Sequence, residues 1–147
     1  MPPVVSVSVL AGSKSDQAVV DDVVKALTEL GVSHETKIIS AHRNPAGLRE
    51  YVQNSTSKVF IAVAGLSAHL PGTIASMTTS PVIGVPVAVK LNGLDSLLSM
   101  VQMPPGVPVG CVGIDNGRNA AILAAEILAV VDVGLKKRLE DMRKAWL

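Results

Sequence analysis

Short apolar runs alternate with segments of helical period along most of the chain. Residues 4–10 are almost entirely Val, Ser and Leu, which predicts a strand covered on both faces. Val20, Val23, Val24, Leu27 and Leu30 then recur at helical spacing, and Gly31 supplies a stop. A second strand is expected over 34–39. Asn44-Pro45 opens a helix running to about residue 53, with the proline in its first turn. Residues 59–64 read as a third strand, 65–72 as a loop, 73–78 as a short helix and 81–87 as a fourth strand. A helix over 93–101 is closed by Pro104-Pro105-Gly106. A fifth strand over 107–114, an apolar helix over 119–130 and an amphipathic helix over 135–146 complete the pattern.

Strands that alternate with helices imply crossover connections and parallel pairing. The expected fold is α/β, a doubly wound parallel five-stranded sheet followed by a C-terminal amphipathic helix. No repeat, linker or low-complexity stretch interrupts it, so residues 1–147 read as a single domain. Ligands of such sheets sit beyond the carboxyl ends of the strands. The loops to inspect are therefore 11–16, 40–45, 65–72, 88–95 and 115–119.

Composition sharpens this picture. Hydrophobic residues make up 48% of the 147 and charged residues only 17%, against about 25% charged in ordinary domains. Burial on both faces of a parallel sheet, or contacts between subunits, would account for that. A net charge of +1 offers no basic stripe for nucleic acid, and one Tyr, one Phe and one Trp offer no base-stacking platform. Cys111 is the only cysteine, which excludes an intrachain disulfide and a cysteine-based zinc cluster. Met1-Pro2-Pro3 does not open a signal peptide, and a cytoplasmic location is expected. Residues 59–89 contain no charged side chain, a length that could span a membrane. Pro71, Pro81, Pro86 and three glycines interrupt it, so strand, loop, helix and strand is the better reading.

The five loops hold the polar chemistry. Gly12-Ser13-Lys14-Ser15-Asp16 combines a glycine, two hydroxyls and a helix start, which suits a phosphate or ribose and equally suits simple capping. It fits neither a Walker loop nor a dinucleotide fingerprint. In Ser40-Ala41-His42-Arg43-Asn44-Pro45, Arg43 offers a planar fork for phosphate or carboxylate, and His42 exchanges protons near neutral pH. In Gly65-Leu66-Ser67-Ala68-His69-Leu70-Pro71-Gly72, His69 reads on its own as a buried structural histidine. Asp95 reads as a helix cap and Cys111 as an inert core thiol. His34 stands at the wrong end of its strand to join the other two histidines.

Taken together and in order, these segments resemble the PurE family of carboxyaminoimidazole ribonucleotide mutases and aminoimidazole ribonucleotide carboxylases. The stretch from Gly93-Leu94-Asp95-Ser96 through Gln102-Met103-Pro104 belongs to the same resemblance, which covers essentially the whole chain. It implies a flavodoxin-like three-layer sandwich assembled as a homo-octamer. It implies that Ser13, Ser15 and Asp16 bind the ribose phosphate, with Asp16 on ribose hydroxyls. Ser40 and Arg43 would complete the phosphate and imidazole surroundings, and His42 matches the catalytic histidine. Gly65, Ser67, Ala68, His69 and Leu70 would close over the imidazole and the migrating carboxyl group. No cofactor and no metal are implied, because the aminoimidazole is an electron-rich enamine. A coupling to an ATP-dependent carboxyaminoimidazole ribonucleotide synthase is implied as well.

Two departures stand out. Leu66-Ser67 occupies positions where Gly and Ala are expected. The stretch from Gly113 to Asn119 differs from the family's Gly- and Ala-rich loop and is similar to LarB, a related carboxylase. The expected reaction is carboxyl transfer from the exocyclic nitrogen N5 to ring carbon C4 in purine biosynthesis. Direct carboxylation with CO2, a LarB-like carboxylase and a silent nucleotide-binding module remain as alternatives. The last helix carries Leu135, Leu139, Met142 and Trp146 on one face. The low charge content and the implied octamer favour docking of residues 133–147 on a neighbouring subunit over packing on their own chain.

Overall fold

The computed structural model describes residues 4–147. The expectation drawn from Met1-Pro2-Pro3 lies outside the described residues. Five parallel strands, β1 (Val7–Ala11), β2 (His34–Ile38), β3 (Val59–Gly65), β4 (Val82–Val87) and β5 (Gly110–Cys111), form one sheet in the order β2-β1-β3-β4-β5. Six α-helices connect and follow them: α1 (Gln17–Glu29), α2 (Pro45–Asn54), α3 (Leu70–Ala75), α4 (Leu94–Val101), α5 (Gly117–Ala129) and α6 (Val133–Lys144).

Strict alternation along the inner strands builds two cores. Val7, Val9, Val59, Ile61 and Val63 face α1, α5 and α6, while Leu10, Phe60, Ala62 and Ala64 face α2, α3 and α4. Helices on both faces explain why β1, β3 and β4 carry hardly a polar side chain. On the first face, α5 presents Ala120, Ala121, Ala124 and Ala125, all fully buried. A Cβ on Gly117 would stand 2.6 Å from the Val19 carbonyl oxygen. Small residues thus let α5 lie close against α1, and the helix starts two residues earlier than its apolar pattern predicts.

Local signals set the helix ends. The Asn44 side chain accepts the Gly47 N–H at 3.0 Å to cap α2, and the Asn116 side chain accepts the Asn119 N–H at 3.0 Å to cap α5. Gly31 follows α1 with φ of +68°, the left-handed turn that glycine enters without strain. The uncharged stretch 59–89 folds as β3, α3 and β4. Among the described residues no helix is long and apolar enough to cross a membrane.

Three expectations are corrected. The short helix after β3 starts at Leu70 rather than residue 73, because Thr73 N–H reaches the His69 carbonyl at 2.9 Å and Pro71 needs no partner in a first turn. Strand β5 shrinks from eight residues to two. It is a sheet edge paired only with β4, and Pro108 has no N–H to contribute. Asp95 is not the cap of α4. That position belongs to Gly93, reached through the left-handed residues Leu91 and Asn92, and one Asp95 carboxylate oxygen is buried without a partner.

Part of the apolar face of α6 packs on its own chain. Leu135 and Leu139 are buried in the α1–α5 core, with Met142 against it, and Arg138 donates to the Leu30 carbonyl at 2.9 Å. The Leu30 carbonyl, just past the end of α1, has no helical partner and so is free to accept that bond. Trp146 alone of the four stays out, 72% exposed.

Candidate functional site

The chain leaves β1 toward β2 on one side and later returns to β3 on the other, so the strand order reverses between β1 and β3. The loops beyond those two strands diverge there and open a crevice. A cavity of about 560 Å³ occupies it, walled by the loops after β1, β2 and β3, with Val89 from the loop after β4. That volume suits a small-molecule ligand.

The first wall is the turn after β1. The Ser13 hydroxyl accepts the Ser15 N–H at 3.2 Å and the Ser15 hydroxyl at 3.0 Å. This short 3-10 turn (Lys14–Asp16) delivers the chain into α1 with both hydroxyls on the cavity. Asp16 also lines the cavity and is only 6% exposed, yet its side chain makes no cap bond to α1. Burial pushes its carboxyl pKa above the ordinary value.

The second wall follows β2. The Ser40 hydroxyl accepts the Arg43 N–H at 3.1 Å, closing a turn that carries Ala41, His42 and Arg43. The Arg43 guanidinium donates to the Gly12 carbonyl at 2.9 Å, so the second wall is tied to the first. Its remaining N–H donors, in a rigid fork, can meet an anion beside the two serines.

The third wall is the segment Gly65, Leu66, Ser67, Ala68, His69 and Leu70, and every one of these residues lines the cavity. Ala68 and Leu70 are buried and anchor it to the α2–α4 core, while His69 is exposed. The reading of His69 as a buried structural histidine is therefore corrected. Its Nδ1 lies 2.8 Å from the His42 Nε2, and the two rings meet edge to face with centroids 4.9 Å apart. Two imidazoles from two different loops thus share one hydrogen bond at the cavity wall. Such a pair can hold a proton and pass it to a ligand in contact with it.

All eleven residues singled out as binding or catalytic line this one cavity: Ser13, Ser15, Asp16, Ser40, His42, Arg43, Gly65, Ser67, Ala68, His69 and Leu70. Gly12, Ala41, Ala64, Leu66 and Val89 line it too and were not singled out; of these, Leu66 and Val89 bring exposed apolar side chains. The available signal for Val89 was an apolar residue in the loop after the fourth strand, just ahead of Lys90. The Val89 methyl lies so close that a Cβ on Gly65 would stand 2.7 Å from it, so a larger residue at 65 would push Val89 aside. The loop at 115–119 does not reach the cavity. Instead the Asp115 carboxylate accepts the Ala88 N–H at 2.9 Å and steadies the loop that carries Val89. Met103 likewise supports from behind, since a Cβ on Gly72 would meet its sulfur at 2.8 Å.

The remaining candidates lie elsewhere. His34 is held at the opposite end of β2, its Nδ1 2.8 Å from the Val32 carbonyl. Cys111 is half-buried on β5, and burial raises its thiol pKa, which disfavours the reactive thiolate. Among the described residues, no three His, Cys, Asp or Glu side chains converge to hold a metal ion.

Comparison with known proteins agrees with this geometry. A family model described as AIR carboxylase matches residues 6–146. The N5-carboxyaminoimidazole ribonucleotide mutase of Methanocaldococcus jannaschii is 55% identical over 138 residues, covering 94% of this chain and 88% of that protein. The protein of the same name from Pyrococcus abyssi is 51% identical over 146 residues, covering 94% and 84%. The one from Mycobacterium leprae is 50% identical over 137 residues, covering 90% and 80%. The crystal structure of PurE from Treponema denticola superposes with a TM-score of 0.84 at 27% identity, covering 95% of this chain and 89% of that one. A flavodoxin-like sheet, a crevice at its switch point and a family match over nearly every residue lead to one conclusion: the chain belongs to the AIR carboxylase family.

Proposed function

We propose that this protein is an N5-carboxyaminoimidazole ribonucleotide mutase of purine biosynthesis, and that the His42–His69 pair beside Arg43 is its catalytic centre. The observation that carries this reading is the pairing itself. A proton-exchanging group stands 2.8 Å from a second one, in a cavity that also offers a cation and two hydroxyls. An anion-binding end and a proton-handling end are what an isomerisation on a ribonucleotide requires.

In this reading Ser13, Ser15 and Arg43 bind the phosphate, Asp16 accepts hydrogen bonds from ribose hydroxyls, and Ser40 supports the turn that aims His42. Binding remote from the reacting atoms holds the ring in place. Protonated His42 gives its proton to N5 as the N5–carboxyl bond breaks, the bonding pair staying on nitrogen and CO2 being released. The enamine carbon C4 then attacks CO2, and the C4 proton passes back to His42. Protons and electrons balance over the cycle, so nothing is consumed. The segment 65–70 covers the ring and limits loss of CO2 to solvent.

The same reading carries a homo-octamer in the cytoplasm, supplied with substrate by an ATP-dependent carboxyaminoimidazole ribonucleotide synthase. What supports assembly is α4, whose Leu94, Leu98 and Val101 form an exposed apolar stripe.

The test is the fate of the carboxyl carbon. Substrate labelled in that carbon is turned over in excess unlabelled bicarbonate. A mutase keeps the label in the product. Complete washout, with turnover of aminoimidazole ribonucleotide at low bicarbonate, would replace this reading with direct carboxylation.

A further inference from the structure

Leu66 combines two unfavourable features that nothing in the chain itself offsets. Its φ is +57°, in the left-handed region where a leucine side chain crowds the backbone and glycine does not. It is also 49% exposed, with its surface on the cavity rather than in either core. The turn around it is tight: Ala68 N–H bonds the Leu66 carbonyl and His69 N–H bonds the Ser67 carbonyl, each at 2.8 Å and only two residues back. Ala68 and Leu70, both buried, hold this geometry in place, so the strain cannot relax by moving the segment. Val89, also 49% exposed, adds a second apolar side chain to the same cavity next to Gly65. The opposite walls are polar, with Ser13, Ser15 and Arg43.

We infer that Leu66 is a substrate-discriminating contact, which packs with Val89 on the flat face of a planar ring whose phosphorylated sugar lies on the polar walls. The proposal rests on the mutase reading and assigns the ring-side half of that site. The leucine's strain and exposure are compensated only when a ligand covers it, because removal of apolar surface from water is then added to the balance. Its contribution goes to ligand affinity and to keeping water from the carbon that accepts CO2, and not to folding.

This predicts an unusual combination. Truncating a leucine normally destabilises a protein, but Leu66→Gly removes strain along with the side chain. Leu66→Asn tolerates the same backbone while replacing the apolar surface with a polar one. Both variants should melt no lower than the wild type. Both should raise the Kd for aminoimidazole ribonucleotide about 3- to 10-fold, as expected for exposing half a leucine that the ligand would otherwise cover. Both should also lose part of the labelled carboxyl group to unlabelled bicarbonate during turnover. Wild-type affinity and label retention in both variants would overturn the assignment. So would a normal Leu66→Asn beside a defective Leu66→Gly, which would place the effect in backbone rigidity. A melting temperature lowered by several degrees in both would make Leu66 a folding residue and would also overturn it. A wild-type protein that neither binds the ribonucleotide nor isomerises its carboxylated form would overturn the mutase reading itself, a result separate from any difference between variants.

Discussion

His42 Nε2 and His69 Nδ1 lie 2.8 Å apart, with the ring planes at 82°. One nitrogen must donate and the other accept, so each imidazole fixes the tautomer and rotation of its neighbour. His42 comes from the turn after β2 and His69 from the residue that opens α3. Their bond therefore fastens together two loops separated by 27 residues in sequence.

Removal of each histidine should have a different signature. His42→Asn should reduce turnover by about 10²–10⁴-fold or more while the ribonucleotide still binds in calorimetric titration. His69→Asn should reduce kcat by about 10–10²-fold, as expected when an otherwise intact base is misplaced. Near-normal turnover of His42→Asn would remove it from the catalytic role.

Arg43 both ties the first wall to the second and offers the cation of the site. Arg43→Ala should raise the Kd for the nucleotide about 10- to 100-fold, the effect of losing charge-assisted hydrogen bonds to phosphate. The nucleoside without its phosphate should bind the variant and the wild type alike. Equal loss for both ligands would mean that Arg43 acts on the ring or the fold.

Asp16 makes a stability prediction with a definite sign. Burial raises its folded-state pKa, so the folded chain holds this proton more tightly than the unfolded chain does. Its contribution is therefore fully present below the unfolded value and is lost as pH rises through the folded one, from about pH 4 upward. Asp16→Asn should flatten that decline in melting temperature, match or exceed wild-type stability at pH 7, and weaken nucleotide binding. A large loss of stability at pH 7 would show that Asp16 serves the fold rather than the ligand.

On α6, Leu135→Ala and Leu139→Ala should each destabilise the chain by about 2–5 kcal/mol in urea unfolding, the range for buried leucines. Trp146→Ala should stay within about 0.5 kcal/mol of wild type, because its ring is largely exposed, with the Arg143 guanidinium 5.8 Å from its centroid. If Trp146→Ala changes the mass measured by light scattering while stability holds, the exposed ring contacts another subunit.

The apolar run at residues 59–64, the Asn44-Pro45 start of α2 and the Gly31 stop after α1 were legible in the sequence because each is a local matter. Side-chain period, capping bonds and left-handed turns involve residues within a few positions of one another. The polar loops were legible as well, since a parallel sheet must deliver its strand ends to one edge. What those loops do together was decided in three dimensions. The His42–His69 bond, the Arg43 reach to Gly12 and the place of Val89 over Gly65 depend on which strands are neighbours, and that follows from the order β2-β1-β3-β4-β5. A similar limit applies to α6. A pattern of Leu135, Leu139, Met142 and Trp146 says that a face will be buried, but not against what. On this chain the folded α1–α5 core covers Leu135 and Leu139, and Arg138 bonds the Leu30 carbonyl beside them. Apolar periodicity reports how much surface must leave the water, whereas the partner that covers it is set by contacts far apart in the chain.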